Sequence, residues 1–168
     1  MSAVLDGAAQ VLAPTNLLAL AALGLMAGQH TKQLPRVTFA LLAAGLLAGS
    51  TLIALAVREP PAAVALLALA AIAGLIVAAA RSFPPSVAHP LAFLTGTALA
   101  LNTPPQAIMT SAAVATQLVT AIAALAAFGV VAAVATKADR GWQRIALRIV
   151  GSWIAASAIL VLALRLFR

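Results

Sequence analysis

The chain has no cysteine and no tyrosine, only three acidic residues among 168, and an aromatic share of 4%. Without cysteine there is no disulfide framework, thiolate metal site or cysteine nucleophile. The three acids, Asp6, Glu59 and Asp139, lie near the amino end or in breaks between apolar runs. Paired-carboxylate catalysis is therefore excluded, and neither a Ser-His-acid set nor a phosphate loop can be assembled. The expectation is a protein that is not an enzyme and needs no cofactor. A charged share of 8% also cannot cover the surface of a soluble domain of this length.

What is present is apolar. Hydrophobic residues make up 64% of the chain and the mean hydropathy is +1.13. The reading is an all-α polytopic membrane protein, one transmembrane domain over residues 1–168, with the lipid bilayer as its first partner. A net charge of +7 would suggest nucleic-acid binding in a soluble protein. Here the bases stand singly or in small groups between apolar runs, so no nucleic-acid partner is expected. The stretch from Met1 to Gln10 has no basic region and carries Asp6. The first apolar segment is therefore expected to be retained rather than cleaved.

A spanning helix needs about 20 apolar residues. Charges and prolines divide the chain into six candidates: Val11 to Gly28, Val37 to Val57, Ala62 to Ala80, Val87 to Leu101, Ile108 to Thr136, and Ile145 to Leu166. The first and fourth are short and interrupted, by Pro14 and Pro90. Thr103-Pro104-Pro105 ends the fourth, because proline removes a backbone donor and clashes with the preceding turn. Six spans place Lys32, Arg36, Arg81, Lys137, Arg140, Arg144 and Arg148 on one side and Arg58, Arg165 and Arg168 on the other. That bias marks the first side as cytoplasmic and puts both termini on the opposite side. Were the fourth segment not to cross, the bias would vanish. The order short, long, long occurs twice, which suggests two three-helix repeats. Short, proline-interrupted segments at matching places in two halves either mark a substrate site, as in transporters, or are two packed helices that proline merely kinks.

Gly24-x-x-x-Gly28 and Gly45-x-x-x-Gly49 put two glycines on one helix face and predict close helix crossings. Ala70-x-x-x-Gly74 and Gly151-x-x-x-Ala155 extend the pattern. Gln106, Thr110, Gln117 and Thr120 fall on one face of the fifth helix, and Asn16, Thr95, Thr97 and Asn102 could face that stripe. Either Asn16, Asn102, Gln106, Thr110 and Gln117 line a solute pathway, or they are interhelical hydrogen bonds. His30 and His89 are the only imidazoles, and His89 is the one candidate metal ligand, against a simpler reading as a residue near the membrane boundary. Lys137, Arg140, Arg144, Arg148 and Trp142 are expected to anchor the last helix at anionic headgroups, with Trp142 and Trp153 flanking that helix as what remains of an interfacial aromatic belt.

Thr15-Asn-Leu-Leu-Ala-Leu-Ala-Ala-Leu-Gly-Leu-Met-Ala-Gly-Gln29 resembles the first-helix segment of the HupE/UreJ family, membrane proteins regarded as nickel permeases. Leu34-Pro35, the small-residue second helix and Arg148-Ile-Val-Gly-Ser-Trp-Ile-Ala-Ala156 are also similar. The resemblance implies a transporter or channel in a bacterial inner membrane, with nickel or another transition metal as solute. That family's first-helix signature is His-Pro-x-x-Gly-x-Asp-His. In this chain its His-Pro pair matches Ala9 and Gln10, and its Asp and second His match Thr15 and Asn16. A second motif near the fourth helix is reduced to Ala88-His89-Pro90. With those ligands missing, the alternative is a non-transporting accessory subunit, held in a homo-oligomer or a larger membrane complex through its Ala and Gly faces.

Overall fold

The computed structural model describes residues 9–29, 34–55, 62–79, 84–104, 110–138 and 141–167, without the side chains of Leu34, Pro35 and Thr110. These residues are all-α. A helical turn at 9–11 precedes six helices: α1 Pro14–Gly28, α2 Leu34–Ala54, α3 Ala62–Ala79, α4 Pro85–Asn102, α5 Thr110–Thr136 and α6 Gly141–Leu166. Four of them, α2, α3, α5 and α6, are long and apolar enough to cross a membrane. Pro14 does not interrupt α1 as expected. It occupies the first helical position, where the missing N–H costs no intrahelical bond, and Ala13 is the N-cap. Pro90 does lie within α4, and α4 ends at Asn102 with Thr103 as its C-cap. The last helix starts at Gly141, four residues before the expected Ile145, so Trp142, Arg144 and Arg148 lie on its first two turns.

α1 is the central helix. Ala22 to Gly28 is an unbroken buried run, and Asn16, Ala19 and Leu20 are buried below it. A helix enclosed by protein has no reason to be amphipathic, and its apolar character carries all the way round. α5 and α6 lie outside it. On α5, Thr116, Thr120, Ala124, Phe128, Ala132 and Ala135 face inward, while Val114, Leu118, Ile122, Val130 and Val134 form the exposed stripe. α6 buries a single narrow strip, Gly151, Ile154, Ala155 and Ala158.

Three close crossings hold the helices, each made by small residues that let backbones approach. On α1, a Cβ added at Gly24 would stand 2.9 Å from Val131 and 3.2 Å from the Phe128 carbonyl of α5. One added at Gly28 would collide with Ala135 and the Ala132 carbonyl. On α2, Gly45 faces the backbone of Phe93 and Thr97, Gly49 faces Thr97 and Ala100, and Gly96 of α4 returns the contact to Leu42 and Leu46. Gly74 of α3 meets Gly151 and Ala155 of α6. The register shows direction: contacts advance together along α1 and α5 and along α2 and α4, and run oppositely along α3 and α6. The predicted Gly24, Gly28, Gly45 and Gly49 are thus all at helix crossings.

Candidate functional site: an uncharged polar layer at one end of the bundle

Two hydrogen bonds between helices define the end of the bundle where α1 and α5 begin and α2 and α4 finish. Asn102 Nδ2, on the last residue of α4, donates to Asn16 Oδ1 at 2.9 Å. Gln117 Nε2 of α5 donates to Ser50 Oγ of α2 at 3.1 Å. Gln10, in the turn before α1, extends the first pair. Its backbone carbonyl accepts from Asn16 Nδ2 at 2.7 Å, and its side-chain amide lies 3.4 Å from Thr120 Oγ1, whose hydroxyl donates to the Thr116 carbonyl of its own helix at 2.9 Å. The layer therefore comprises the Ser50–Gln117 pair and the Gln10–Asn16–Asn102 group, with Thr120 beside Gln10, across four helices and one turn.

Burial in this layer is deep for polar groups. Asn16 and Thr120 are each 1% exposed, and Asn102 and Gln117 are half-buried. A buried amide without partners is costly, and the helix starts explain how Asn16 avoids that cost. Pro14 fixes where α1 begins, so Asn16 lies in its first turn with its side chain beside the carbonyl of Gln10. Gln117 Oε1 is an exception: it is buried and has no hydrogen-bond partner. Beyond the layer toward the other end come Leu20, Leu23, Leu42, Leu99 and Phe128, all nearly fully buried. The face of α5 thus changes from polar at Thr116 and Thr120 to apolar at Ala124 and Phe128.

Of the expected pathway residues, Asn16 and Asn102 are bonded to each other, and Gln117 lies in the same layer through Ser50. Thr110 begins α5 at the same end, but its side chain, like all of Gln106, lies outside the described residues. Thr95 and Thr97 do not join the layer. Their hydroxyls donate to their own helix, to the carbonyls of Leu91 at 2.7 Å and Phe93 at 3.0 Å. Gln10 and Ser50 are members that the sequence reading missed. Ser50 was hidden because a serine in an apolar helix more often bonds its own backbone, as this one also does, to the Leu46 carbonyl at 2.8 Å.

His89 lies at the opposite end, in the first turns of α4, with Nε2 buried and unpartnered. Among the described residues no three His, Cys, Asp or Glu side chains come together as a metal site. The described cations of this end, Arg36, Lys137, Arg144 and Arg148, are exposed, and Arg140 lies outside the described residues. Arg148 Nε donates to the Ala78 carbonyl at 3.2 Å, capping the end of α3. Trp142 is 64% exposed on the first turn of α6, as an interfacial anchor would be, whereas Trp153 is 72% exposed near the middle of that helix. No family model matches the chain, and no curated protein or solved structure is significantly similar to it.

Proposed function

We propose that this chain is an integral membrane transporter or channel for a small solute, with a HupE/UreJ-like architecture of six crossing helices in two inverted three-helix halves. The observation that carries the reading is the polar layer itself. Asn16, Asn102, Gln117 and Ser50 converge from four helices at one level, and one buried amide oxygen is left unused. Buried side-chain acceptors without a partner are few in folded proteins, so an unused one in this layer supports a solute-facing role.

Support for the halves comes from packing register. Gly24 and Gly28 of α1 rest on Phe128, Val131, Ala132 and Ala135 of α5. Gly96 and Ala100 of α4 meet Leu42, Gly45, Leu46 and Gly49 of α2. In both pairs two small residues four apart on the shorter helix meet positions i, i+3, i+4 and i+7 on its partner. Exchanging α1 with α4 and α2 with α5 maps one crossing onto the other. The same exchange turns the antiparallel α3 and α6 crossing onto itself. Parallel α1 with α5, parallel α2 with α4, and antiparallel α3 with α6 are the senses that six alternating traverses require. α1 would then cross inside protein, where apolarity and length matter less than for a lipid-facing helix, while α4 keeps an exposed apolar face at Phe93 and Leu94. In that arrangement the exposed cations Arg36, Lys137, Arg144 and Arg148 mark the cytoplasmic side of a bacterial inner membrane, and the polar layer lies toward the other side with both termini.

The resemblance brings nickel or another transition metal as solute, with His89 as a ligand. The described members of the layer offer only amides and hydroxyls, which suit a solute held by hydrogen bonds better than a borderline metal. The test is flux in proteoliposomes holding the full chain, with shrinkage and re-swelling followed for a panel of small solutes and ions. Transport requires at least one solute to cross faster than in protein-free vesicles, and no acceleration for any of them would reject it. The accessory-subunit reading is favoured by one observation, Trp153 exposed at mid-helix where an indole gains little from hydrocarbon. Stoichiometric partner proteins after mild purification from the native membrane would select it.

A further inference from the structure

α6 has an outer face that the rest of the bundle leaves uncovered. Half of α3 is buried, against 22% of the apolar stretch of α6. α1 packs along α3, whereas α4 makes no comparable crossing with α6, so the exchange that relates the halves is incomplete at α6. Trp153 stands on that open side, 72% exposed and about 18 Å from the start of the helix at 1.5 Å per residue. That depth is near the middle of a hydrocarbon layer about 30 Å thick. An indole N–H can only donate, and hydrocarbon offers it no acceptor. The neighbouring Ser152 is exposed too, and its hydroxyl hydrogen is given to the Ile149 carbonyl at 2.8 Å, which leaves its oxygen as an acceptor. Consecutive residues stand about 100° apart round a helix, so the line midway between Ser152 and Trp153 runs through Ile149 and Ala156, both exposed. The buried strip of Gly151, Ile154, Ala155 and Ala158 lies on the opposite side. The outer face thus has a small residue on its centre line, an acceptor on one flank and a donor on the other.

We propose that this face of α6 pairs with the same face of a second copy of the chain, the Trp153 indole of each copy donating to the hydroxyl oxygen of the partner's Ser152. Copies inserted in the same sense are related by a twofold axis along the membrane normal, so residues of equal depth meet. Such an axis also sets the Trp153 flank of one helix against the Ser152 flank of the other. The sequence meets both conditions, because donor and acceptor are consecutive residues on opposite flanks of one line. A different helix would have to supply a matching donor and acceptor at that one depth, whereas a second copy carries them by construction. Ala156 on the centre line lets the two backbones approach. The pairing accounts for the exposed Trp153 without a foreign subunit, and it stands whether or not the chain transports a solute.

The experiment uses the full chain in phosphatidylcholine vesicles over a lipid dilution series, with the dimer fraction read by energy transfer between copies labelled at the amino terminus. The chain has no cysteine, so Ala156→Cys places one thiol on the centre line and Val130→Cys places one on the exposed stripe of α5. Mild oxidation should link dimers from position 156 and not from position 130. Trp153→Phe keeps an aromatic ring and removes the donor, and the association constant should fall about tenfold, the weight of two membrane hydrogen bonds at the low end of their range. Ser152→Ala removes the acceptor of the same two bonds. It should weaken association by as much, and the double variant should be no weaker than either single one. Packing alone would instead make the two losses unequal and additive. Unfolding midpoints show that the variants fold, and the cysteine pair alone still decides the matter should one of them fail. Monomers at every dilution, links from position 130 alone, or association indifferent to Trp153→Phe and Ser152→Ala would each overturn the pairing. So would a link from position 156 to a different protein in the native membrane, which would give the face to an accessory partner.

Discussion

Gly45→Ala tests whether backbone proximity, rather than glycine content, holds α2 to α4. An added Cβ would collide with the Phe93 carbonyl oxygen and stand 3.0 Å from Phe93 C and from Thr97 N. All three are backbone atoms of a helix, so no rotamer change relieves them. α4 as a whole must retreat until contacts reach about 3.5 Å, and it carries Gly96 away from Leu42 as it goes. Forced overpacking of this kind costs about 1–3 kcal/mol. Gly129 supplies the control, because a Cβ there meets nothing within 4 Å. Ala improves helix propensity by about 0.8–1.0 kcal/mol at either position, so the difference between the two variants isolates the collision. The expected difference is about 1–3 kcal/mol, or about 5- to 150-fold in the folding equilibrium. Gly24→Ala should fall between them, because its added Cβ meets the Val131 side chain at 2.9 Å, where part of the obstruction can rotate away. Equilibrium unfolding in mixed dodecylmaltoside and dodecyl sulfate micelles, followed by circular dichroism, measures all three. Equal stability of Gly45→Ala and Gly129→Ala would refute the reasoning.

Asn16→Ala leaves the Gln10 carbonyl and Asn102 Nδ2 without their partner, at a cost of about 1–3 kcal/mol. In a double-mutant cycle with Asn102→Ala the coupling should be about 0.6–2 kcal/mol, and zero coupling would show that the pair does not form. The natural absence of cysteine makes topology directly measurable. Single cysteines replacing Leu12 and Lys137, both exposed, should react with a membrane-impermeant maleimide from opposite faces of the membrane, and labelling from one face would contradict six alternating crossings. His89→Leu removes a buried nitrogen with no partner, so micelle stability should stay within about 1 kcal/mol of the parent or rise. A loss above about 2 kcal/mol would reveal a bond to Nε2.

Helix positions were legible because apolar runs and proline breaks carry them, and the glycine crossings were legible because Gly-x-x-x-Gly has one geometric use in a helix. Boundaries shifted where a local rule outweighed hydropathy. Pro14 starts α1 instead of interrupting it, and α6 runs back to Gly141 because exposed Arg144 and Arg148 can extend from helical turns as readily as from a loop. The polar layer was legible only in part. Asn16, Asn102 and Gln117 stand out because a carboxamide in an apolar helix needs a partner, whereas Thr95 and Ser50 look alike in sequence. Only packing decides that Thr95 satisfies itself within α4 while Ser50 also receives Gln117. Gln10 was out of reach altogether, since its part depends on a backbone carbonyl whose direction is set by the turn ahead of Pro14.

The same bonds have a place in the mechanics of the bundle. α1 is locked to α5 by Gly24 and Gly28, and α2 to α4 by Gly45, Gly49 and Gly96. These are backbone-close contacts, and sliding them requires overpacking somewhere along the crossing. The seam between the α1 and α5 pair and the α2 and α4 pair is of a different kind. At the polar end Asn16 with Asn102 and Gln117 with Ser50 both bridge that seam. Toward the other end it is bridged between α2 and α5 by the Phe39 and Phe128 rings, with centroids 6.2 Å apart. Hydrogen bonds between membrane helices contribute about 0.6–2 kcal/mol each, so parting the polar end costs about 1–4 kcal/mol in these two bonds alone. A solute that hydrogen-bonds to the freed amides would recover part of that cost only while the end is parted. Its binding would then favour the parted arrangement by its differential affinity alone, which requires no charge in the layer.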